Sequence, residues 1–360
     1  MHLFAVLGSL MKRINVEPAW IFKDENGSRL DPQLFLLISA IHEQGKLTLA
    51  AEQVGISYRH SWNILKHWAA FFGCELVYLH KGRGAVLSPL GEKLLWAQQR
   101  LIARLEPQLK SFASEINLEI QRSLEGVKPL LNVYASFGYA VELLPNFTKN
   151  YQLNLQYKEV EEALIALNRG QCDLAGFHLP VELRSAKYLT TYLRHLRPRA
   201  HKIIRFITRR MGLMIKSGNP MQIQGLQDLL ENNVQFINRE PSSGTRCLFE
   251  ELLANEDLPV ESINGFDDVE YTHSAVAAYV AAGMADVGFG VEAAAKKFSL
   301  DFIPLTTEHY LFVCHNKTLQ QEAMQRFLAE IRSTEFMQKV ATLAGYSPEQ
   351  CGEVVSVEDL

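Results

Sequence analysis

The residues of this chain best suited to chemistry are those that neutralise an anion without a metal. After the apolar run Val234-Gln235-Phe236-Ile237-Asn238 come Arg239-Glu240-Pro241-Ser242-Ser243-Gly244-Thr245-Arg246, and then a helical stretch from Cys247 to Asn255. A helix that starts behind small hydroxyl residues presents its first backbone N–H groups to solvent, and small side chains let an anion approach them. Ser242, Ser243, Gly244, Thr245 and Arg246 are therefore candidate ligand contacts, with capping of the helix by Ser243 or Thr245 as the plainer role. A second such place is Glu270-Tyr271-Thr272-His273-Ser274, which opens a helix near Ala275 with Thr272 as a candidate cap and His273 as a candidate ligand contact. Ser136 and His178 each end an apolar strand, where α/β sheets hold ligands outside their carboxyl edge. The cations Arg194, Arg197, Arg199, Lys202, Arg205, Arg209 and Arg210 could draw in an anion, although such runs are mostly solvated faces.

A different chemistry, hydrogen bonding to base edges and phosphates, is carried by Ser57-Tyr58-Arg59-His60-Ser61-Trp62-Asn63-Ile64-Leu65-Lys66-His67. Leu47 to Val54 and Trp62 to Ala69 are apolar-periodic segments too short to be stable alone, and Gly55 stands in the break between them. They read as a helix-turn-helix whose second helix is capped by Ser57. Burying its apolar stripe leaves Tyr58, Arg59, His60, Asn63 and Lys66 outside, a set suited to a major groove. Glu75 to His80 and Ala85 to Ser88 then alternate like a hairpin with Lys81-Gly82-Arg83-Gly84 at its tip. This is a candidate wing whose Lys81 and Arg83 would meet phosphate.

These residues need elements to position them. Asp31-Pro32 opens a further helix, Leu34 to Gln44, that closes the helix-turn-helix core. Leu94, Leu101, Leu105, Leu109, Phe112 and Ile116 recur at helical steps and describe a long amphipathic helix that Pro107 should kink or break. It is a candidate dimer seam, the alternative being an intrachain linker. Beyond Gly126, Leu130 to Ser136 and Leu153 to Val160 read as strands and Val141 to Asn150 as a helix, the rhythm of a parallel sheet with crossovers. Ala163 to Gly176 is echoed by Ala275 to Gly288, each a helix, a stopping glycine and an Asp-led apolar strand. Two copies suggest two lobes around a cleft.

The fold expected is α/β overall: a winged helix-turn-helix over residues 1–89, a linker or dimerisation helix over 90–127, and a two-lobed α/β receptor over 128–360. The chain has 360 residues and a formal net charge of −4, so a nucleic-acid surface must be local. Between Ser57 and Lys93 five Lys and Arg stand against two Glu, an excess in the right place. Five scattered cysteines without C-x-x-C or Cys/His spacing suggest neither a disulfide framework nor a zinc site and fit a reducing cytoplasm. The first ten residues carry no basic region or cleavage site and are too short to span a bilayer, so they read as a start-site extension with Met11 as an alternative initiator. The absence of a G-x-S-x-G elbow, a P-loop or metal-ligand spacing argues against an enzyme, and no cofactor is expected.

From Ala19 to Leu95, with Gly55-Ile56-Ser57-Tyr58-Arg59, Trp62 and Gly82-Arg83-Gly84-Ala85-Val86-Leu87-Ser88 before Gly91, the chain resembles the winged helix-turn-helix of ModE and LysR regulators, ModE more closely. From Lys128 to Val340 it resembles a periplasmic-binding-protein-like effector domain. The motifs behind that likeness include Ala175-Gly176-Phe177-His178-Leu179, Gly218-Asn219-Pro220, Asn238 to Arg246 and Thr272-His273-Ser274-Ala275-Val276-Ala277. The resemblance implies a bacterial one-component transcription regulator, a homodimer or higher homo-oligomer on double-stranded DNA, without a membrane. Its small-molecule effector would be molybdate, tungstate or a similar oxyanion. Two departures open alternatives: Ser136-Phe137-Gly138 stands where the family commonly has Ser-His-Asp, and Glu161-Glu162 where it often has Gly-Ser. Carboxylates beside a cleft repel anions, so another acid such as formate, or a molecule with a positive group, is also in view. A small-molecule binding or storage protein without specific DNA binding is the remaining alternative.

Overall fold

The computed structural model describes residues 13–360 apart from 19–20, 22, 24, 28, 30, 32, 81–83, 126–127, 182–189, 191 and 232. Three helices lead the chain, α1 Gln33–Gln44, α2 Leu47–Val54 and α3 Tyr58–Phe72. Ser57 caps α3 by accepting from the His60 N–H at 3.1 Å. Gly55, at φ 75°, closes α2 by donating back to the Glu52 carbonyl, a left-handed turn that glycine makes without strain. Leu37, Ile38, Ala50, Ile64, Leu65 and Trp68 fill a core of their own beneath the hairpin of β1 (Val77–His80) and β2 (Gly84–Leu87). These are three packed helices, with a tight turn between the second and third, followed by a two-stranded antiparallel hairpin. The Trp68 ring is buried with its indole N–H donating to the Asp31 carbonyl at 3.1 Å, which fastens α3 to the start of α1.

Helix α4 runs unbroken from Pro89 to Glu125, so Pro107 does not break it. Proline removes the N–H that would have bonded the carbonyl four residues back, that of Ala103. That carbonyl accepts instead from the Thr272 hydroxyl at 3.1 Å. The residue expected to interrupt the helix thus supplies a docking point for another part of the chain. On the helix's other flank, the Ser111 and Ser114 hydroxyls accept from the Tyr157 and Leu155 N–H groups at 3.0 and 2.9 Å, satisfying the open edge of a strand.

That strand, β4 (Gln152–Tyr157), edges a mixed sheet of order β4-β3-β5-β10-β6-β9-β7-β8, formed with β3 (Leu130–Ala135), β5 (Leu174–Pro180), β6 (His201–Ile215), β7 (Phe236–Arg239), β8 (Val269–Glu270), β9 (Val287–Val291) and β10 (Asp301–His315). The parallel sheet expected from the sequence holds only within each half. Its centre is the antiparallel pair β6 and β10, each 15 residues long. The second half of β10 pairs with β5, whereas the second half of β6 pairs with β9, so both strands pass from one lobe into the other. The stretch after β3 is a short 3-10 helix, Val141–Asn146, rather than an α-helix to Asn150; Pro145 lies within it.

The internal repeat is real in three dimensions. Helices α5 (Val160–Asn168) and α7 (His273–Ala281) are each followed by glycine at φ near 70°, Gly170 and Gly283, and then by β5 and β9. Asp173 and Asp286 play the same part in the two copies. Their carboxylates accept from the Asn132 and Gln235 N–H groups, both at 2.9 Å, and clasp the start of the neighbouring parallel strand. In the second lobe, α6 (Gly244–Asn255) covers β7 and β9 through stacked Phe236, Phe249 and Phe289, with ring centroids 4.8 and 5.1 Å apart. The two lobes face each other over the crossing strands.

Candidate ligand cleft and candidate reading helix

Between the lobes lies a cavity of about 520 Å³. Its floor is the crossing itself, where Arg209 of β6 and Glu308 of β10 are direct cross-strand partners. The Arg209 guanidinium donates twice to Glu308 Oε2, at 3.0 and 2.9 Å, and His178 Nδ1 lies 3.1 Å from Oε1. Burial pushes the Glu308 carboxyl up, but His178 and Arg209 outweigh it and leave the group at about 2. An ionised carboxylate only accepts, so His178 Nδ1 carries the proton of that bond. Its other ring edge points towards Gly244. A Cβ on Gly244 would sit 2.7 Å from His178 Cε1 and 2.5 Å from the Tyr192 hydroxyl, so a side chain there has no room.

The opposite wall belongs to the second lobe. Arg239 ends β7, is 8% exposed, and donates to the Tyr271 carbonyl at 2.8 Å. Its Nε is buried with no hydrogen-bond partner, and no carboxylate of the described residues lies within 4.0 Å of it. Burial lowers its pKa, with Glu159 and Glu240 opposing, and an arginine remains a cation at neutral pH. His273 stands near it, buried, with Nδ1 unpartnered. Burial takes its pKa well below the usual histidine value, helped by Arg239, Arg209 and His178, so the ring is neutral at pH 7.

Of the residues singled out from the sequence, Ser136, His178, Ser243, Gly244, Thr245, Thr272 and His273 all line this cavity. Several hydroxyls already have structural work. Ser243 caps α6 by accepting from the Thr245 N–H, Thr272 caps α7, and Ser136 donates to Tyr310 Oη at 3.1 Å. Ser242 and Arg246 lie outside the lining. Ser242 is exposed and turned to Glu240, and Arg246 bonds Glu250 at 2.9 Å while stacking on Phe266. Arg246 also reaches the Arg239 carbonyl at 3.4 Å and so holds the loop from behind. Of the basic run, Arg209 alone lines the cavity; Arg194, Arg205 and Arg210 pair with Glu161, Glu353 and Glu292. Glu162 is on the rim with Glu159, whereas Glu161 is turned to Arg194.

Sequence reasoning named Arg209 only within the basic run that could draw in an anion, and did not single out Arg239. Arg209 carries no local signal, because its partner Glu308 is remote in the chain. Arg239 does carry one, being the last residue of a strand at the sheet's carboxyl edge; Ser136 directly follows β3, whereas His178, expected to end its strand, lies two residues inside the end of β5, which runs on to Pro180. The contribution of Arg104, Leu105, Pro107 and Gln108 from α4 to the same lining was also missed, because their stripe reads as a seam between subunits.

The second candidate surface is α3. Tyr58, Arg59, His60, Asn63 and Lys66 are all exposed on it, as is Ser57 at its cap. His60 Nε2 is 3.1 Å from Gln33 Oε1, and Lys66 Nζ lies 3.7 Å over the Trp62 ring. Lys81 and Arg83, the wing-tip cations, lie outside the described residues.

A family model for the PBP superfamily domain matches residues 142–332, more than half of the chain. The chain belongs to the PBP superfamily. The matched PBP segment includes Arg209, Arg239, Gly244 and His273. YvgK of Bacillus subtilis (strain 168) is 33% identical over 202 residues, covering 56% of this chain and 64% of that protein. The molybdenum-pterin-binding protein MopB of Rhodobacter capsulatus is 31% identical over 108 residues, 29% of this chain and 40% of that one. The chain thus spans less than two thirds of the length of either relative. Among solved structures, an OxyR C206 mutant of Corynebacterium glutamicum aligns over 88% of this chain and 95% of its own at a TM-score of 0.43 and 16% identity. Among the described residues, no helix is long and apolar enough to cross a membrane, and no group of three or more His, Cys, Asp or Glu is placed to hold a metal.

Proposed function

We propose that this protein is a ligand-responsive, DNA-binding transcription regulator whose cleft takes a small oxyanion of the molybdate or tungstate class. Residues 1–89 form the DNA-binding head, 90–127 the linker, and 128–360 the effector domain. The molecule works as a cytoplasmic homodimer without a catalytic step. Arg59, His60 and Asn63 read bases, Tyr58, Lys66, Lys81 and Arg83 hold phosphate, and Ser57 fixes the first turn of the reading helix. The observation that carries the ligand reading is Arg239: a buried guanidinium with no carboxylate of the described residues within 4.0 Å, facing a cavity beside the N-terminus of α6. Burying an unneutralised charge is costly, and an anion arriving from solvent removes that cost. The relative named as molybdenum-pterin-binding supports the oxyanion class.

A second reading has its own observation. A single tetrahedral oxyanion fills only a small part of the 520 Å³ present, and Phe137, Tyr157 and Tyr271 line the same space as the carboxylates Glu159 and Glu162. This favours an organic acid bearing a body or a positive group behind its anionic end. Thermal melts of the full chain with molybdate, tungstate, sulfate, formate and larger carboxylates separate the two, since a ligand at 100 times its Kd stabilises by about 2.7 kcal/mol. Gel shifts with genomic fragments at physiological salt test the DNA reading. No sequence-preferring retardation would leave a binding or storage protein instead.

A further inference from the structure

The linker helix α4 lies along the mouth of the cavity and touches both lobes. On the first lobe it is held by Ser111 and Ser114 against the edge strand β4. On the second it is held by Thr272 on the carbonyl that Pro107 leaves open, and by Arg100 and Arg104 facing one carboxylate, Glu270. Glu270 is fully buried. Arg100 bonds its Oε1, whereas Oε2 lies 3.6 Å from Arg104 Nε without a hydrogen bond to any group among the described residues. Two guanidiniums against one carboxylate leave a positive charge in surplus, and Arg104 is the one that lines the cavity, its ring neighbour Tyr271 beneath it at 4.6 Å.

Resting on the reading of the cleft as an anion site, we infer that Arg104 is a ligand-binding residue contributed by the linker, and that an anion held between Arg104 and Arg239 ties α4 to the second lobe. The effector is then sensed by the linker itself as well as by the angle between the lobes. An occupied cavity makes the helix a fixed lever; an empty one leaves it held on that side by Glu270 and Thr272. A guanidinium shared with a poorly bonded carboxylate is easily recruited, because charge-assisted bonds to an incoming oxyanion replace a long contact rather than a good one.

The test uses the full chain, titrated calorimetrically with sodium molybdate, tungstate, sulfate and formate, with hydrogen exchange followed over residues 99–109. Wild-type protein is expected to bind at least one of these and to gain protection in that segment. Arg104→Ala should bind about tenfold more weakly and show no gain in protection. Arg104→Lys, which keeps a point charge, should recover most of the affinity, which a purely structural role would not produce. Arg122→Ala, an exposed pair with Glu119 on the same helix, serves as the control and should match wild type. If binding is lost in Arg239→Met but unchanged in Arg104→Ala, this inference alone is overturned. If no anion of the set binds wild type, the anion reading of the cleft falls and takes this inference with it.

Discussion

The crossing and the second lobe each aim a buried arginine at the same cavity, yet among the described residues only one of the two has a carboxylate partner. Arg209 lies on a strand that crosses between the lobes and is locked to Glu308, which His178 holds from the other side. Arg239 lies at the end of a strand confined to the second lobe and meets a backbone carbonyl where a carboxylate would be expected. A buried cation with its partner beside it belongs to the fold; a buried cation without one is an unfinished interaction that a ligand can complete. The difference shows how two chemically identical side chains lining one cavity carry different duties, and it is open to direct attack.

The largest effect should come from breaking the neutralised pair. Arg209→Met leaves Glu308 buried with half its support, and a broken buried pair costs about 3–5 kcal/mol. Urea denaturation of the ligand-free chain should show that loss, and a variant as stable as wild type would mean that the pair is not what holds the crossing. Arg239→Met is the mirror experiment. It removes a buried charge with no carboxylate partner among the described residues while keeping the apolar stem, so the unliganded protein should melt where wild type does or slightly higher. Affinity for the bound anion should fall by about 1.5–3 kcal/mol, the usual worth of a hydrogen bond to a charged group. Equal loss of stability in both variants would erase the distinction.

Outside the cleft the comparison extends to Arg59, exposed on α3 and without a packing duty. Arg59→Ala should leave the melt unchanged and cost about 1–3 kcal/mol in operator binding, with relaxed preference at one position. Gel-shift competition with altered sites measures both. Gly244→Ala should cost about 1–3 kcal/mol of stability through overpacking against Tyr192 and His178, and should weaken anion binding as well, because the added methyl sits at the start of α6.

How far the sequence discloses this arrangement follows from the range of its signals. Capping at Ser57, the turn at Gly55, the paired Asp173 and Asp286 repeat and the helix start at Gly244 are local, and each is written in neighbouring residues. The crossing of β6 and β10 is not, because pairing Arg209 with Glu308 joins segments 99 residues apart. Alternating strands and helices suggest only a parallel sheet. Pro107 shows the same limit from the other side: its missing N–H is evident in the sequence, but that Thr272 takes the freed carbonyl depends on a helix and a lobe brought together by the fold. For Ser242 and Arg246 the loop's composition gave their proximity to the cleft, while the turn at Glu240 decided which side chains face it.

The smallest effect tests the contrast through protons. Burial holds the His273 imidazole well below the ordinary histidine range, and Arg239 heads the charges that add to it. The folded form therefore binds fewer protons than the unfolded one near this site, so the stability it contributes is complete above about pH 6.5 and lost as pH falls below that value. His201, held at about 4 by burial with His315 and Arg197, acts in the same direction over the same stretch. Glu308, at about 2 against about 4.3 in an unfolded chain, holds its contribution until the pH drops below about 5 and then loses it. Urea midpoints measured from pH 7.5 to 3 should accordingly fall in two limbs. His273→Gln should flatten the first limb and spare the second. Arg239→Met should also flatten the first, in part, because the cation that suppresses His273 is gone and the ring's folded value moves back towards that of the unfolded chain. An upper limb unchanged in Arg239→Met would mean that Arg239 does not act on His273 as a bare charge, and that something else in the cleft already neutralises it.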